Sequence, residues 1–228
     1  MLKDVELSGS IGQIGHKVDM IRGRFITLEG GEGTGKSTQA AFLKDALERY
    51  GITVHLTREP GGAPLAERIR TLILDEKPTA SVAEFLLFAA ARCEHVAATI
   101  RPALERGDWV ICDRYIDSTR VYQGELEDID KDLILTIEQF CVAPWLPDLT
   151  IILDMPVAVS TARVQARGDL SRFDNVDEAR HDQIRRGFLN IADAEPERCV
   201  VVSAMNPAEQ IAEDIEQIVS DRLMGTNA

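Results

Sequence analysis

Residues 30–38 read GGEGTGKST, and they contain Gly30, four residues, then Gly35, Lys36 and Ser37. An apolar run, Phe25 to Leu28, leads into this string, and a helix-like stretch, QAAFLKDALERY, leads out of it. A strand, a glycine-rich loop and a helix in that order make a phosphate-binding loop. Gly30, Gly31, Gly33 and Gly35 admit backbone angles that a β-carbon forbids. The intervening N–H groups, including those of Glu32, Thr34 and Thr38, can then turn toward an anionic phosphate. The start of the next helix adds unpaired N–H groups and the positive end of its dipole. Lys36 can reach β and γ phosphates, and the Ser37 hydroxyl can reach a magnesium ion. A turn that merely joins strand to helix would not need the lysine–serine pair.

The rest of the chain repeats the same alternation. Strand-like runs occur at 24–29, 52–58, 108–114, 149–155 and 199–204. Helical patterns fill 37–50, 63–74, 81–105 with a bend at Pro102, 131–140, 157–166, 176–193 and 207–223, while 117–130 gives no clear pattern. Strands alternating with helices predict an α/β fold, a parallel sheet with helices on both faces. At 228 residues the chain fits one domain, 23–228, behind a flexible extension, 1–22. Met20, just before the first strand, is a candidate alternative start.

Composition narrows the chemistry. A formal net charge of −13 argues against nucleic-acid binding, which needs a basic surface. Cys93, Cys112, Cys141 and Cys199 lack CxxC spacing, so neither zinc nor a disulfide scaffold is expected, and a reducing, cytoplasmic setting is. No run of 18 apolar residues predicts a membrane span.

Asp113, Arg114 and Tyr115 end the third strand. Ligands in such sheets bind beyond the carboxyl ends of the strands. There Asp113 can hold magnesium directly or through water, and Arg114 can fork onto a phosphate. Phe88 and Arg92, four apart on one helical face, can stack on and hydrogen-bond to a planar base. Arg163, Arg167 and Arg172 cluster around the polar segment 167–175, which predicts a lid over about 163–175. A lid arginine would neutralise charge on a phosphoryl group in flight. No Ser–His–Asp order and no histidine cluster suggests another chemistry. These features describe a magnesium-dependent enzyme that moves the γ-phosphoryl group of ATP.

TREPGG (57–62), FAAAR (88–92), DRYIDSTRVYQG (113–124) and RVQARGDLSR (163–172), together with FITLEGGEGTGKST, closely resemble the thymidylate kinase family of the bacterial type. The likeness runs from about residue 23 to about 223. It implies a P-loop NTPase three-layer sandwich with a five-stranded parallel sheet, phosphorylation of dTMP to dTDP by ATP with Mg2+, and a homodimer. By the same resemblance, Glu32 lies near the acceptor's sugar 3′-hydroxyl and phosphate. Arg114 clamps the dTMP phosphate on a floor shared with Arg58, Glu59 and Pro60. Arg70 approaches the acceptor phosphate or base. Phe88 stacks on thymine and Arg92 donates to its O4. Ser118, Thr119 and Gln123 lie along the base edge, Tyr122 fills the space of a 2′-hydroxyl, and Asn206–Pro207 touch adenine. Thr34 stands where some relatives carry an arginine, which leaves the transfer arginine to the lid, Arg167 first and Arg163 next. The runners-up are a P-loop kinase for another nucleotide or a deoxynucleoside, and a nucleotide-switched ATPase that binds a protein partner.

Overall fold

The computed structural model describes residues 22–75, 80–168 and 177–225. The expected extension, except Arg22, lies outside the described residues, as do Met20 and most of the expected lid with Arg172.

Five strands form one parallel sheet: β1 (Phe25–Glu29), β2 (Val54–Arg58), β3 (Trp109–Asp113), β4 (Leu149–Asp154) and β5 (Cys199–Ser203). Their spatial order is β2-β3-β1-β4-β5. β1 is central, with Thr27 opposite Cys112 on one side and Thr150 on the other. All five of its residues are buried, as a strand covered on both faces requires. Alternation sends Ile26 and Leu28 into a core against α1 (Lys36–Arg49) and α9 (Ala208–Val219). Each of these aliphatic side chains contributes about 2 kcal/mol by leaving water. Ile211, Ile215 and Val219 recur every four residues on the buried stripe of α9.

The opposite face of β1 changes character along the strand. Phe25 packs edge-on against Tyr115 at 4.9 Å. Thr27 and Thr150 then share a hydrogen bond of 2.7 Å, and Thr150 also accepts from Arg198 at 2.6 Å. Glu29 ends the strand, fully buried. This polar seam runs beneath the functional end of the sheet.

Between the strands lie α2 (Pro64–Asp75), α3 (Ser81–His95), α4 (Arg101–Glu105), α5 (Ile116–Thr119), α6 (Lys131–Val142), α7 (Val157–Arg167) and α8 (Glu178–Ala194). α3 runs into α4 through a widened turn, Val96–Ile100, where the Arg101 N–H reaches back five residues to Val96. Pro102 explains it: a proline ring collides with the carbonyl four residues earlier, so the helix opens by one residue. The expected bend is therefore an over-wide turn just before the proline. The ambiguous stretch 117–130 is α5 followed by a second wide turn, Arg120–Glu125. The acidic loop beyond it ends at Asp130, whose carboxylate caps α6 by accepting from Leu133 N at 2.9 Å.

Candidate active site

From β1 the chain builds β2 and β3 on one side and β4 and β5 on the other, so a crevice opens at the carboxyl end of β1. The loop 30–35 follows it and wraps the start of α1. Gly33 sits at φ 75°, where a β-carbon would lie 2.6 Å from the Ser160 carbonyl oxygen. Gly30 is as constrained, against the Leu153 carbonyl at 2.5 Å. Gly35 begins α1 with no side chain capping it, which leaves its first N–H groups facing the opening.

A cavity of about 860 Å³ opens at this edge. Of the loop, Glu32, Gly33, Gly35, Lys36, Ser37 and Thr38 line it. From β2 and beyond come Arg58, Glu59, Pro60 and Arg70, and from α3 Phe88 and Arg92. Asp113, Arg114, Ser118, Thr119, Tyr122 and Gln123 form the floor, and Arg163 of α7 reaches in from the far side. Gly30, Gly31 and Thr34 lie behind the loop: Lys36 Nζ donates to the carbonyls of Gly30 (3.1 Å) and Gly31 (2.7 Å), and Thr34 donates to Gly31 at 3.0 Å. Asn206 and Pro207 are exposed between β5 and α9 and do not line the cavity. Arg167 is the last residue of α7; its side chain is outside the described residues.

Arg114 is the centre of the floor. Its backbone takes φ 69°, a left-handed conformation that costs a non-glycine residue about 1–2 kcal/mol. The side chain is held in return by four groups. Nη1 donates to the Gly30 carbonyl (3.1 Å) and Ser118 Oγ (3.0 Å), and Nη2 donates to Glu32 Oε1 (2.7 Å). The guanidinium also lies over the Tyr122 ring. Burial alone would raise the Glu32 carboxyl, but Arg114 and Lys36 outweigh it and hold it at about 2. Burial lowers Lys36 to about 8, helped by Arg114 and opposed by Glu32, Asp113 and Glu29. Lys36, buried and hydrogen-bonded to two carbonyls, would gain a counter-charge from a phosphate.

A second cluster holds Arg92. Its guanidinium donates to Glu59 Oε2 (2.7 Å), Thr119 Oγ1 (2.9 Å) and the Tyr115 carbonyl (2.9 Å). Glu59 Oε1 meets His95 Nδ1 at 3.0 Å, and His95 Nε2 meets Thr57 at 2.8 Å. The arginine is therefore held in one orientation where it lines the cavity. On the near wall, Arg70 donates to the Pro60 carbonyl at 2.7 Å, and the exposed Arg58 pairs with Glu67.

Ser37 Oγ donates to Asp113 Oδ2 at 2.5 Å. A hydroxyl and a carboxylate that converge within the cavity are hard oxygen donors suited to Mg2+. Among the described residues there is no group of three or more His, Cys, Asp or Glu that could hold a metal, and no helix is long and apolar enough to cross a membrane. The four cysteines are free.

Sequence reasoning passed over Glu29, His95 and Asp117. Glu29 was visible only as a charge closing an apolar strand, FITLE. His95 sits three residues after Arg92, on the same helical face. Asp117 is fully buried between Arg198 (2.7 Å) and Arg120 (3.3 Å), and these partners come from distant segments.

The thymidylate kinase family's sequence profile matches residues 28–215. A thymidylate kinase of Nitrobacter hamburgensis is 45% identical over 213 residues, covering 91% of this chain and 93% of its own. One from a Bradyrhizobium species is 47% identical over 207 residues, covering 89% and 92%. The crystal structure of a thymidylate kinase from Ehrlichia chaffeensis superposes with a TM-score of 0.71 at 34% identity, over 87% of this chain and 99% of that one.

Proposed function

The chain belongs to the thymidylate kinase family, and from that premise we propose that its cavity takes ATP and dTMP together and transfers the γ-phosphoryl group to give dTDP. The observation that carries this reading is the convergence of Lys36 and Arg114 on one cavity of about 860 Å³, both donating to the Gly30 carbonyl. Lys36 belongs to the donor phosphates and Arg114 to the acceptor phosphate. Two anions that repel each other in water are thereby held close, and positioning of this kind is most of phosphoryl-transfer catalysis. Ser37 and Asp113 would hold Mg2+, which neutralises charge on the phosphate oxygens.

Phe88 and Arg92 offer a flat face and donors to thymine. Tyr122 lines the wall where a ribose would carry its extra hydroxyl. Arg167 supplies charge to the group in flight, and Arg163, already in the cavity, is the next choice. Asn206 and Pro207 belong to the adenine side. Residues 23–228 act as one kinase domain in the cytoplasm, with the lid over about 163–175.

The same reading includes a homodimer. Leu65 and Leu72 of α2, Val82 and Leu86 of α3, and Phe140 of α6 are exposed, Phe140 by 83%. Leu65 and Leu72 are seven apart, Val82 and Leu86 four apart, and Phe140 is seven from the exposed Leu133 of α6, so each pair lies on one face of its helix. Apolar stripes on neighbouring helices suit a partner surface.

The test is an acceptor panel of dTMP, dUMP, dCMP, dAMP and thymidine with ATP and Mg2+. A kcat/KM for dTMP well above every other acceptor supports the assignment. Preference for another acceptor would select a different P-loop kinase, and ATP binding without transfer would select the nucleotide-switched ATPase.

A further inference from the structure

Glu29 ends β1 beneath the site, fully buried, and does not line the cavity. Its Oε1 accepts the backbone N–H groups of Tyr115 (2.7 Å) and Ser118 (3.2 Å). Its Oε2 lies 2.7 Å from Ser118 Oγ, and that oxygen lies 3.0 Å from Arg114 Nη1.

Counting protons gives this chain a direction. A guanidinium can only donate, so Ser118 Oγ accepts from Arg114. The serine hydroxyl has one proton, and an ionised carboxylate can only accept, so that proton goes to Glu29. The sequence of bonds is Arg114 N–H to Ser118 O–H to the Glu29 carboxylate, with a charge at each end. We infer that Glu29 is a positioning residue for Arg114: it draws the Ser118 proton inward and so turns the serine's lone pairs toward the guanidinium.

The other polar anchors of Arg114 are less able to do this. Glu32 lines the cavity and is open to displacement by an incoming phosphate, and the Gly30 carbonyl is shared with Lys36. Glu29, fully buried and outside the cavity lining, is not open to such displacement. Glu29 is faced by Asp117 from α5, Arg114 from the end of β3, Lys36 from α1 and Tyr122 from the turn after α5. Burial and Asp117 raise its carboxyl to about 7, while Arg114 opposes them. With Oε1 already holding two N–H groups, a proton would enter on Oε2, make the carboxyl a donor to Ser118 and release the serine hydrogen. The positioning arrangement is therefore that of the ionised form.

The inference rests on the reading of Arg114 as the clamp on the acceptor phosphate. Calorimetric titration of dTMP and of thymidine into the full chain at pH 8 tests both. The variants are Glu29→Gln, Glu29→Asp, Ser118→Ala, the Glu29→Gln/Ser118→Ala pair and Arg114→Ala. Glu29→Gln keeps the size but offers an amide donor to Ser118. It should weaken dTMP roughly tenfold, as loss of a charge-assisted bond does, and leave thymidine within about twofold. Glu29→Asp should retain more dTMP affinity than Glu29→Gln. The double variant should lose no more than the worse single one, because both act through one chain. Ser118→Ala reads the same branch without touching the buried carboxylate, should Glu29→Gln not fold; because Ser118 also lies along the base edge, its effect on the branch is the loss for dTMP in excess of that for thymidine. Unchanged dTMP affinity, equal losses for dTMP and thymidine, or additive losses in the pair would overturn the role of Glu29. Unchanged dTMP affinity in Arg114→Ala would remove the clamp itself and this inference with it. A loss in Arg114→Ala without one in Glu29→Gln or Ser118→Ala would remove only the latter.

Discussion

The Arg114 guanidinium lies 5.3 Å from the centre of the Tyr122 ring, and both residues donate to the same oxygen, Glu32 Oε1, at 2.7 and 3.2 Å. The tyrosine thus has two separable parts. Its hydroxyl belongs to the carboxylate, and its ring, also packed edge-on against Phe188 at 6.4 Å, forms cavity wall.

That separation predicts how sugar selection responds to mutation. Tyr122→Phe removes the hydroxyl and keeps the wall, so most of the preference for deoxyribose should remain. Tyr122→Ala removes the wall and should relax it. Comparison of kcat/KM for dTMP and ribothymidine monophosphate in each variant measures this. An alanine variant as selective as the parent would mean that the ring does not exclude the 2′-hydroxyl.

Glu32 predicts a pH dependence. Its carboxyl stands at about 2 in the folded chain against an ordinary 4.5, because Arg114 and Lys36 overcome its burial. A depressed carboxyl stabilises the fold fully above about 4.5, and the contribution is lost as pH falls toward 2. Glu32→Gln should therefore lower stability by about 1–3 kcal/mol at pH 7. The gap between parent and variant should shrink below pH 4. Urea titrations at pH 7, 4.5 and 3 would show it, and a gap independent of pH would remove the electrostatic explanation.

Lys36 carries the opposite balance. Its ammonium is buried and its pKa is lowered to about 8, so the folded chain holds that charge less comfortably than water does. Lys36→Ala should leave far-UV circular dichroism and Tm close to those of the parent. It should also reduce transfer to dTMP by roughly 10³-fold or more, since the donor phosphates lose their cation. A folded variant with near-normal turnover would contradict the role given to the loop.

The loop, the five strands and the positions of Arg92 and Arg114 were legible because each depends on local pattern. The phosphate loop has fixed spacing, and the strands are apolar runs bounded by glycine and charge. Glu29 and Asp117 were not, because what defines them is non-local. The carboxylate of Glu29 is completed by residues 86 and 89 positions away, and that of Asp117 by Arg198, 81 away. The over-wide turn after α3 was half legible: Pro102 announced a disturbance, but only the packing of α3 and α4 on the sheet keeps the helix continuous through it.

Phe140 tests the proposed dimer. It is the most exposed large apolar side chain among the described residues, at 83%, so a charge there costs the isolated subunit almost nothing. Phe140→Glu places two carboxylates in a self-complementary interface if the α2, α3 and α6 face is the one used. Sedimentation velocity should show the parent as a dimer and the variant shifted toward monomer, with unchanged circular dichroism. A variant that remains fully dimeric would place the interface elsewhere.

The transfer arginine is the most demanding case. Thr34 stands in the loop where an arginine could have served, and it turns inward to donate to Gly31. The charge must then come from across the cavity. Arg163 lines it while donating to the Ala204 carbonyl at 3.3 Å, a contact that holds the side chain against the loop after β5. An arginine so tethered fits a role in holding the donor nucleotide. Arg167, one turn further along α7 and beside the expected lid, remains the choice for the group in flight. Arg167→Ala should lower kcat by roughly 10²- to 10³-fold, as loss of a transition-state partner does, with little change in KM for dTMP. Arg163→Ala should instead raise KM for ATP more than it lowers kcat. Saturation kinetics in both substrates separate the two. If the effects are exchanged, Arg163 is the transfer arginine, and normal kcat in both variants would leave α7 without one.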